Sequence, residues 1–369
     1  MKLEFNKDQL LNALNTVTRA IPTRTTNPIL ECVLFEAADH EIRLTANDTE
    51  FGIETVVDGT IAEEGKLAIE AKLCQEIVRK LEGGDSPVVI ESDETFLTTI
   101  RCEDAVFKIP GRDGEEFAYL PEIDRSHYIS MSQFTLKQAV QKTIFSAALN
   151  DSNRMMGGLF LEVNGEKARF VALDGHRIAV QNVTLREDYG SAKAIIPGRT
   201  ISEISKLMTD DNEKEVVLFF SENQVLFSFD RTVIVTRLIE GEYFNIDRMI
   251  SKSYETKVTV SRSRFLSDVE RAVILIKESD HKPVILDIQS GEIRLQAKSA
   301  FGSMNSRLQC EQAGRDLMIA FNPRYLADAL RNIDDDTVAM YMTNARAPMY
   351  FCDDRESYFY LILPVNFVV

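Results

Sequence analysis

The sequence predicts an α+β fold of three similar domains, each made of two β-α-β-β-β units that lay two helices against antiparallel sheets. Two observations predict it. Six segments of one form, a short alternating strand followed by a polar break and an amphipathic helix, recur along the chain. After each of them come strand-like runs separated by turn residues. The length agrees: 369 residues exceed the usual size of one hydrophobic core, so two or three domains are expected.

In chain order the six segments are "MKLEFNKDQLLNALNTV", "GKLAIEAKLCQEIVRKL", "YISMSQFTLKQAVQKTI", "AKAIIPGRTISEISKLM", "TKVTVSRSRFLSDVERAVI" and "DLMIAFNPRYLADALRNI". Their helices are predicted to start near Lys7, Ala71, Thr135, Arg199, Ser263 and Pro323, at intervals of 64, 64, 64, 64 and 60 residues. Apolar residues recur at helical spacing, as in Leu10, Leu11, Leu14 and Val17, or Leu326, Leu330 and Ile333. Asn322 is placed to cap the last helix, with Pro323 at the first helical position, where its missing N–H costs nothing.

The first unit then gives "ILECVLFEA", "EIRLTAND" and "FGIETVVD"; the third gives "GGLFLEVN", "KARFVALD" and "HRIAVQNV"; the fifth gives "PVILDIQ", "EIRLQAK" and "SMNSRLQ". A single amphipathic helix per unit needs a sheet to bury its stripe, so units pair into domains. Polar stretches near Arg125–His127 and Lys252–Glu255 set the expected boundaries, giving domains 1–126, 127–253 and 254–369.

Composition narrows the function. With 44% apolar and 27% charged residues the chain reads as an ordinary soluble protein. No apolar stretch approaches the roughly 20 residues of a membrane span, and the charged N-terminus lacks a signal-peptide core, so a cytoplasmic protein is expected. Five scattered cysteines without a C-x-x-C pair predict neither a disulfide framework nor structural zinc, and the four histidines lie far apart.

A formal charge of −16 argues against a nucleic-acid partner if it is spread evenly. It is not. The six helical windows hold fourteen basic and seven acidic residues, a net +7, which leaves −23 on the remainder. Helices sharing one surface would make it basic within an anionic protein, suited to backbone phosphate. Neither a base-stacking signature nor a recognition-helix motif accompanies it.

"FVALDGHRIAV" sets an Asp, a His and an Arg within four positions, at Asp174, His176 and Arg177. Asp-Gly flanked by the alternating apolar Phe170, Ala172, Ile178 and Val180 predicts a hairpin turn. A hydrolase using Asp174 and His176 would need a nucleophile that the local sequence does not supply. A repeat-built adaptor without a DNA role would leave the shared basic bias of the helices unexplained.

Six such units in three domains, the basic helices, "DGHR" in the middle and "YLILPV" near the end together resemble the bacterial sliding clamp family, the beta subunits of the DNA polymerase III holoenzyme. The resemblance spans the whole chain. It implies the DNA clamp fold, a head-to-tail homodimer forming a ring around duplex DNA, no catalytic residues, no cofactor and no metal. It also implies partners: sequence-independent double-stranded DNA, and the replicative polymerase, clamp loader and repair polymerases bound through short linear motifs.

By the same resemblance, Arg24, Arg79, Lys80, Asn150, Arg154 and Arg199 match DNA-facing positions. Met156, Leu173, Gly175, His176, Arg177, Ile178, Phe244, Arg248, Met249, Tyr325, Arg346, Pro348, Leu363, Pro364 and Val365 match a peptide-binding pocket. Phe107 and Ile109 match one edge of the ring seam, and Ile274 and Leu275 its complement. The chain departs from the family in three places. Arg154 and Met155 stand where some clamps have an aromatic pair, Leu173 replaces a small residue, and Asn366 replaces the usual terminal Arg in a tail that runs to Val369.

Overall fold

The computed structural model describes residues 1–82, 86–148, 153–276 and 282–367. The first repeat pair runs β1 (Lys2–Phe5), α1 (Lys7–Val17), β2 (Cys32–Ala38), β3 (Glu41–Asn47), β4 (Phe51–Val57), β5 (Thr60–Glu63), β6 (Gly65–Glu70), α2 (Ala71–Lys80), β7 (Val88–Ser92), β8 (Leu97–Cys102) and β9 (Ala105–Asp113). The second runs β10 (Tyr128–Ser132), α3 (Gln133–Ile144), β11 (Gly158–Asn164), β12 (Lys167–Leu173), β13 (Arg177–Thr184), β14 (Ser191–Pro197), α4 (Gly198–Leu207), β15 (Glu215–Phe220), β16 (Gln224–Phe229) and β17 (Thr232–Arg237). After a short α5 (Ile246–Met249) the third runs β18 (Thr256–Ser261), α6 (Arg262–Leu275), β19 (Val284–Gln289), β20 (Glu292–Ser299), β21 (Gly302–Gln309), β22 (Glu311–Gly314), β23 (Leu317–Phe321), α7 (Pro323–Arg331), β24 (Thr337–Met342), β25 (Met349–Cys352) and β26 (Tyr358–Ile362).

Each of the six predicted helices starts within two residues of its expected position. Side-chain caps set several of those starts. Asn6 accepts from the amides of Asp8 and Gln9, Glu70 from those of Lys72 and Leu73, Ser132 from that of Thr135, and Asn322 from that of Arg324 at 3.0 Å. The apolar stripes then go down: Leu10, Ala13, Leu14 and Val17 of α1 are buried, as are Leu326, Ala327, Ala329 and Leu330 of α7.

The sheets hold an exchange that the repeat does not announce. In every repeat pair the first strand of each unit joins the sheet of the other unit. Thus β6-β2-β3-β4 and β1-β7-β8-β9 form in the first, β14-β11-β12-β13 and β10-β15-β16-β17 in the second, and β23-β19-β20-β21 and β18-β24-β25-β26 in the third. Two outer strands of different repeats also anneal. β4 pairs antiparallel with β17, setting Ile53 opposite Ile234, and β13 pairs antiparallel with β26, setting Ala179 opposite Tyr360.

These joints divide the chain into two compact units, one of Met1–Leu136 with Lys206–Leu238, the other of Lys137–Ser205 with the chain from Ile239 onward. The second repeat pair is shared between them because each of its sheets continues into a flanking repeat. In the second unit Phe265, Val269, Leu286, Phe321, Leu330, Phe351 and Tyr360 belong to one core cluster under α6 and α7. In the first, Leu10, Leu14, Phe35, Ile69 and Val78 are buried between helices and sheet. No helix among the described residues is long and apolar enough to cross a membrane.

Candidate functional site

The turn between β12 and β13 is the hairpin that Asp-Gly predicts. Gly175 takes φ +82°, a conformation side chains resist, and the Asp174 carboxylate accepts the amides of His176 and Arg177 at 3.0 and 3.1 Å. The same carboxylate takes Arg177 Nε at 2.9 Å. Asp174 therefore holds the turn and its arginine, while the His176 ring lies over the Tyr325 ring at 6.2 Å. Among the described residues no three His, Cys, Asp or Glu side chains gather around a point where a metal ion could sit.

Strand register brings several of the pocket candidates to one end of the second unit. Arg177 lies opposite Ile362, and Ile362 opposite Met349, so His176, Leu363 and Pro348 leave the sheet side by side. The Leu363 amide donates to the His176 carbonyl at 2.8 Å, and the Val365 amide to the Ala320 carbonyl at 2.8 Å, which carries Pro364 past the start of α7. Tyr325 stands on the first turn of α7, half-buried; burial and the Asp174 carboxylate push its hydroxyl pKa up.

Beneath this rim Leu173 and Ile178 are buried in a cluster with Leu361 and Tyr243, and Met155, Met156 and Phe244 pack against it half-buried. α5 supplies the other wall. Asn245 caps it by accepting from the Arg248 amide, Ile246 is buried, and Arg248 and Met249 stand exposed. Its Asp247 pairs with Arg169 of β12 at 2.6 Å, a bond that holds the Asp247 carboxyl below its ordinary range. Burial pushes the neighbouring Glu162 up, but Lys193 at 3.0 Å and Arg169 at 2.6 Å outweigh it and hold it low. Arg346, on the β24–β25 turn, is exposed. Apolar side chains and a few polar ones thus meet at this end of the sheet, the composition that a site for a peptide's apolar side chains needs.

Of the DNA-facing candidates, Arg24, Arg79, Lys80, Arg154 and Arg199 are all exposed, and Arg79 pairs with Glu76 on the same helix at 2.8 Å. Asn150 lies outside the described residues. Of the seam candidates, Phe107 is 38% exposed and Ile274 82% exposed. Ile109, two residues further along the same strand face as Phe107, is 8% exposed within its own copy. Leu275 is half-buried against the core beneath α6. Val106 and Phe301, the latter 62% exposed, are apolar surface that the sequence did not single out. Their signal was available, an apolar residue at the start of an edge strand and another at the β20–β21 hairpin tip, but alternation alone does not tell an edge strand from a central one.

The scaffold is repeat-built, with apolar side chains gathered at one sheet end and exposed arginines on helices and loops. Comparison with known proteins specifies the class. Residues 1–121, 130–245 and 247–366 match the models of the N-terminal, central and C-terminal domains of the DNA polymerase III beta subunit. The chain is 30% identical over 377 aligned residues to the beta sliding clamp of Staphylococcus epidermidis, covering 99% of each. Among solved structures it is similar to a putative DNA polymerase III beta subunit from Eubacterium rectale, with 47% identity, TM-score 0.96, and coverage of 100% of this chain and 99% of that one. It is also similar to the Bacillus subtilis DNA polymerase sliding clamp, with 28% identity, TM-score 0.95 and full coverage of both chains. The chain belongs to the DNA polymerase III beta subunit family, the beta sliding clamps.

Proposed function

We propose that this protein works as a dimeric ring that encircles duplex DNA and holds replication and repair polymerases, and the clamp loader, by short peptide segments seated at the sheet end around Leu173, His176 and Leu363. It does no chemistry of its own and acts in the cytoplasm, and its repeats divide as 1–126, 127–253 and 254–369.

The observation that carries this reading is a pair of unmatched strand edges. Three outer hairpins, β3–β4, β12–β13 and β20–β21, set a buried alanine opposite an equivalent residue: Ala46 opposite Ile53, Ala172 opposite Ala179, Ala297 opposite Met304. Three others, β16–β17, β25–β26 and β8–β9, set a fully buried side chain opposite a large apolar one: Phe227 opposite Ile234, Phe351 opposite Tyr360, Ile100 opposite Phe107. The two joints within the chain pair the members of these sets, Ile53 with Ile234 and Ala179 with Tyr360. Met304 on β21 and Phe107 on β9 are the members left over. Among the described residues the outer edge of β21 has no strand beside it, and neither do residues 105–110 of β9, because β6 pairs only with Gly111–Asp113. Joining β9 of one copy to β21 of a second uses both edges and repeats the register of the internal joints, the head-to-tail kind of contact that a ring of copies needs. It also covers Val106, Phe107, Ile274 and Phe301, apolar surface that a monomer would leave wet.

Exposed Arg24, Arg79, Lys80, Arg154 and Arg199 would meet backbone phosphate, which carries no sequence and lets the ring slide. Light scattering over a dilution series tests the closure: about twice 41.8 kDa is expected, with salt-sensitive retention on circular but not linearised DNA. A monomer at every concentration would replace the ring with a peptide-binding adaptor.

A further inference from the structure

Arg177 occupies a rim position, yet its side chain is only 11% exposed and two of its nitrogens are bound to carboxylates of the same chain. Nε meets Asp174 Oδ2 at 2.9 Å and Nη1 meets Asp328 Oδ2 at 2.7 Å, one carboxylate from the β12–β13 turn and the other from α7. The guanidinium lies over the Tyr325 ring at 4.4 Å and near the Phe145 ring at 5.7 Å. We propose that Arg177 is a latch and not a ligand contact: held by Asp174 and Asp328, it fixes the Tyr325 ring beside His176 and so sets the shape of the peptide pocket, which makes Asp328 a positioning residue for the pocket's ligand.

Helix geometry makes the arrangement coherent. Asp328 follows Tyr325 by three residues, so the two side chains share one face of α7 and can meet one guanidinium together. The planar cation stacks on the ring while its edge donates to both carboxylates, a combination that an ammonium cannot reproduce. Asp328 is steadied in turn, since Arg331 approaches its Oδ1 at 3.5 Å while also binding Glu270 at 2.8 Å. Both sides of the latch lie in the second compact unit, one in the part matching the central domain model and one in the part matching the C-terminal model. Removing Asp328 would leave a half-buried guanidinium with one anion and free the ring above it.

The inference rests on the pocket reading above, so its test carries two readouts. The first is the His176 Hε1 proton resonance, which senses the ring current of Tyr325 without any ligand. The second is fluorescence polarisation with a labelled pentapeptide bearing two leucines and a C-terminal phenylalanine. Asp328→Asn and Arg177→Lys are expected to shift the His176 resonance and to weaken the peptide about tenfold, with Asp328→Glu restoring much of both. In a Tyr325→Ala background, Asp328→Asn should cost the peptide almost nothing further. An Asp328→Asn protein with an unmoved His176 resonance overturns the latch, as does an equal loss in both backgrounds. A wild-type protein that ignores the peptide would sink the pocket reading, while the resonance would still decide the latch.

Discussion

Arginines and lysines of the six helices differ in what they can offer a phosphate. Lys142 is half-buried and held by Asp334 at 2.6 Å, Arg262 donates to the carbonyls of Asp335 and Leu330, and Arg324 donates to that of Ile276. These residues count in the basic excess of the windows but serve the fold. Arg24, outside any helix, keeps an exposed position on the loop before Asn27, whose side chain caps the following turn by accepting from the Ile29 amide. Its replacement by alanine should weaken DNA association, lower the slope of log affinity against log salt by about one, and leave the solution mass of the protein unchanged. A changed mass would move Arg24 from the DNA to the architecture. Latch residues were less legible than such surface charges. The sequence shows Asp174 and Arg177 together because the turn keeps them so, whereas Asp328 joins them across 151 residues that no local pattern connects.

At the scale of elements, helices were readable because caps and the 3.6-residue stripe are local, and the six starts follow from them. The strand exchange between units was not readable. Alternation of period two says which face of a strand is buried but not which strand lies beside it. α5, four residues long, is too short to show a period at all; Asn245, the Arg169–Asp247 pair and the burial of Ile246 define it instead. That pair makes a pH expectation possible. Asp247 and Glu162 both have folded pKa values below their unfolded ones, so the stability they lend is present above the unfolded carboxylate range and is lost as pH falls through the folded values. Acidification below about pH 4 should therefore loosen α5 before the sheets it rests on. Hydrogen exchange, corrected for intrinsic rates, should show the Arg248 and Ile250 amides losing protection first, and Asp247→Asn should show the same loss at neutral pH. Protection that stays constant down to global unfolding would mean that Ile246 alone anchors the helix.

For the whole molecule, the seam can be specified to the residue. If β9 of one copy meets β21 of the next as β17 meets β4, Phe107 faces Met304, and the antiparallel register then sets Val106 opposite Asn305, Lys108 opposite Ser303 and Ile109 opposite Gly302. The last pairing is sterically sensible, since Ile109 is already buried in its own copy and needs only a residue without a side chain across from it. Directly opposed residues in an antiparallel pair bring their Cβ atoms to about 4.5–5.5 Å, close enough for a disulfide after small adjustment. A protein carrying Lys108→Cys and Ser303→Cys is therefore expected to form a covalent dimer under mild oxidation, with both seams joined, whereas Lys108→Cys with Asn305→Cys, two residues out of register, should cross-link far more slowly. Ile274→Glu would charge the apolar surface beside that seam and should shift the dilution series toward monomer without altering the melting of either compact unit. Efficient cross-linking of the out-of-register pair, or a monomer that cross-links neither, would require a seam built on other edges than these two.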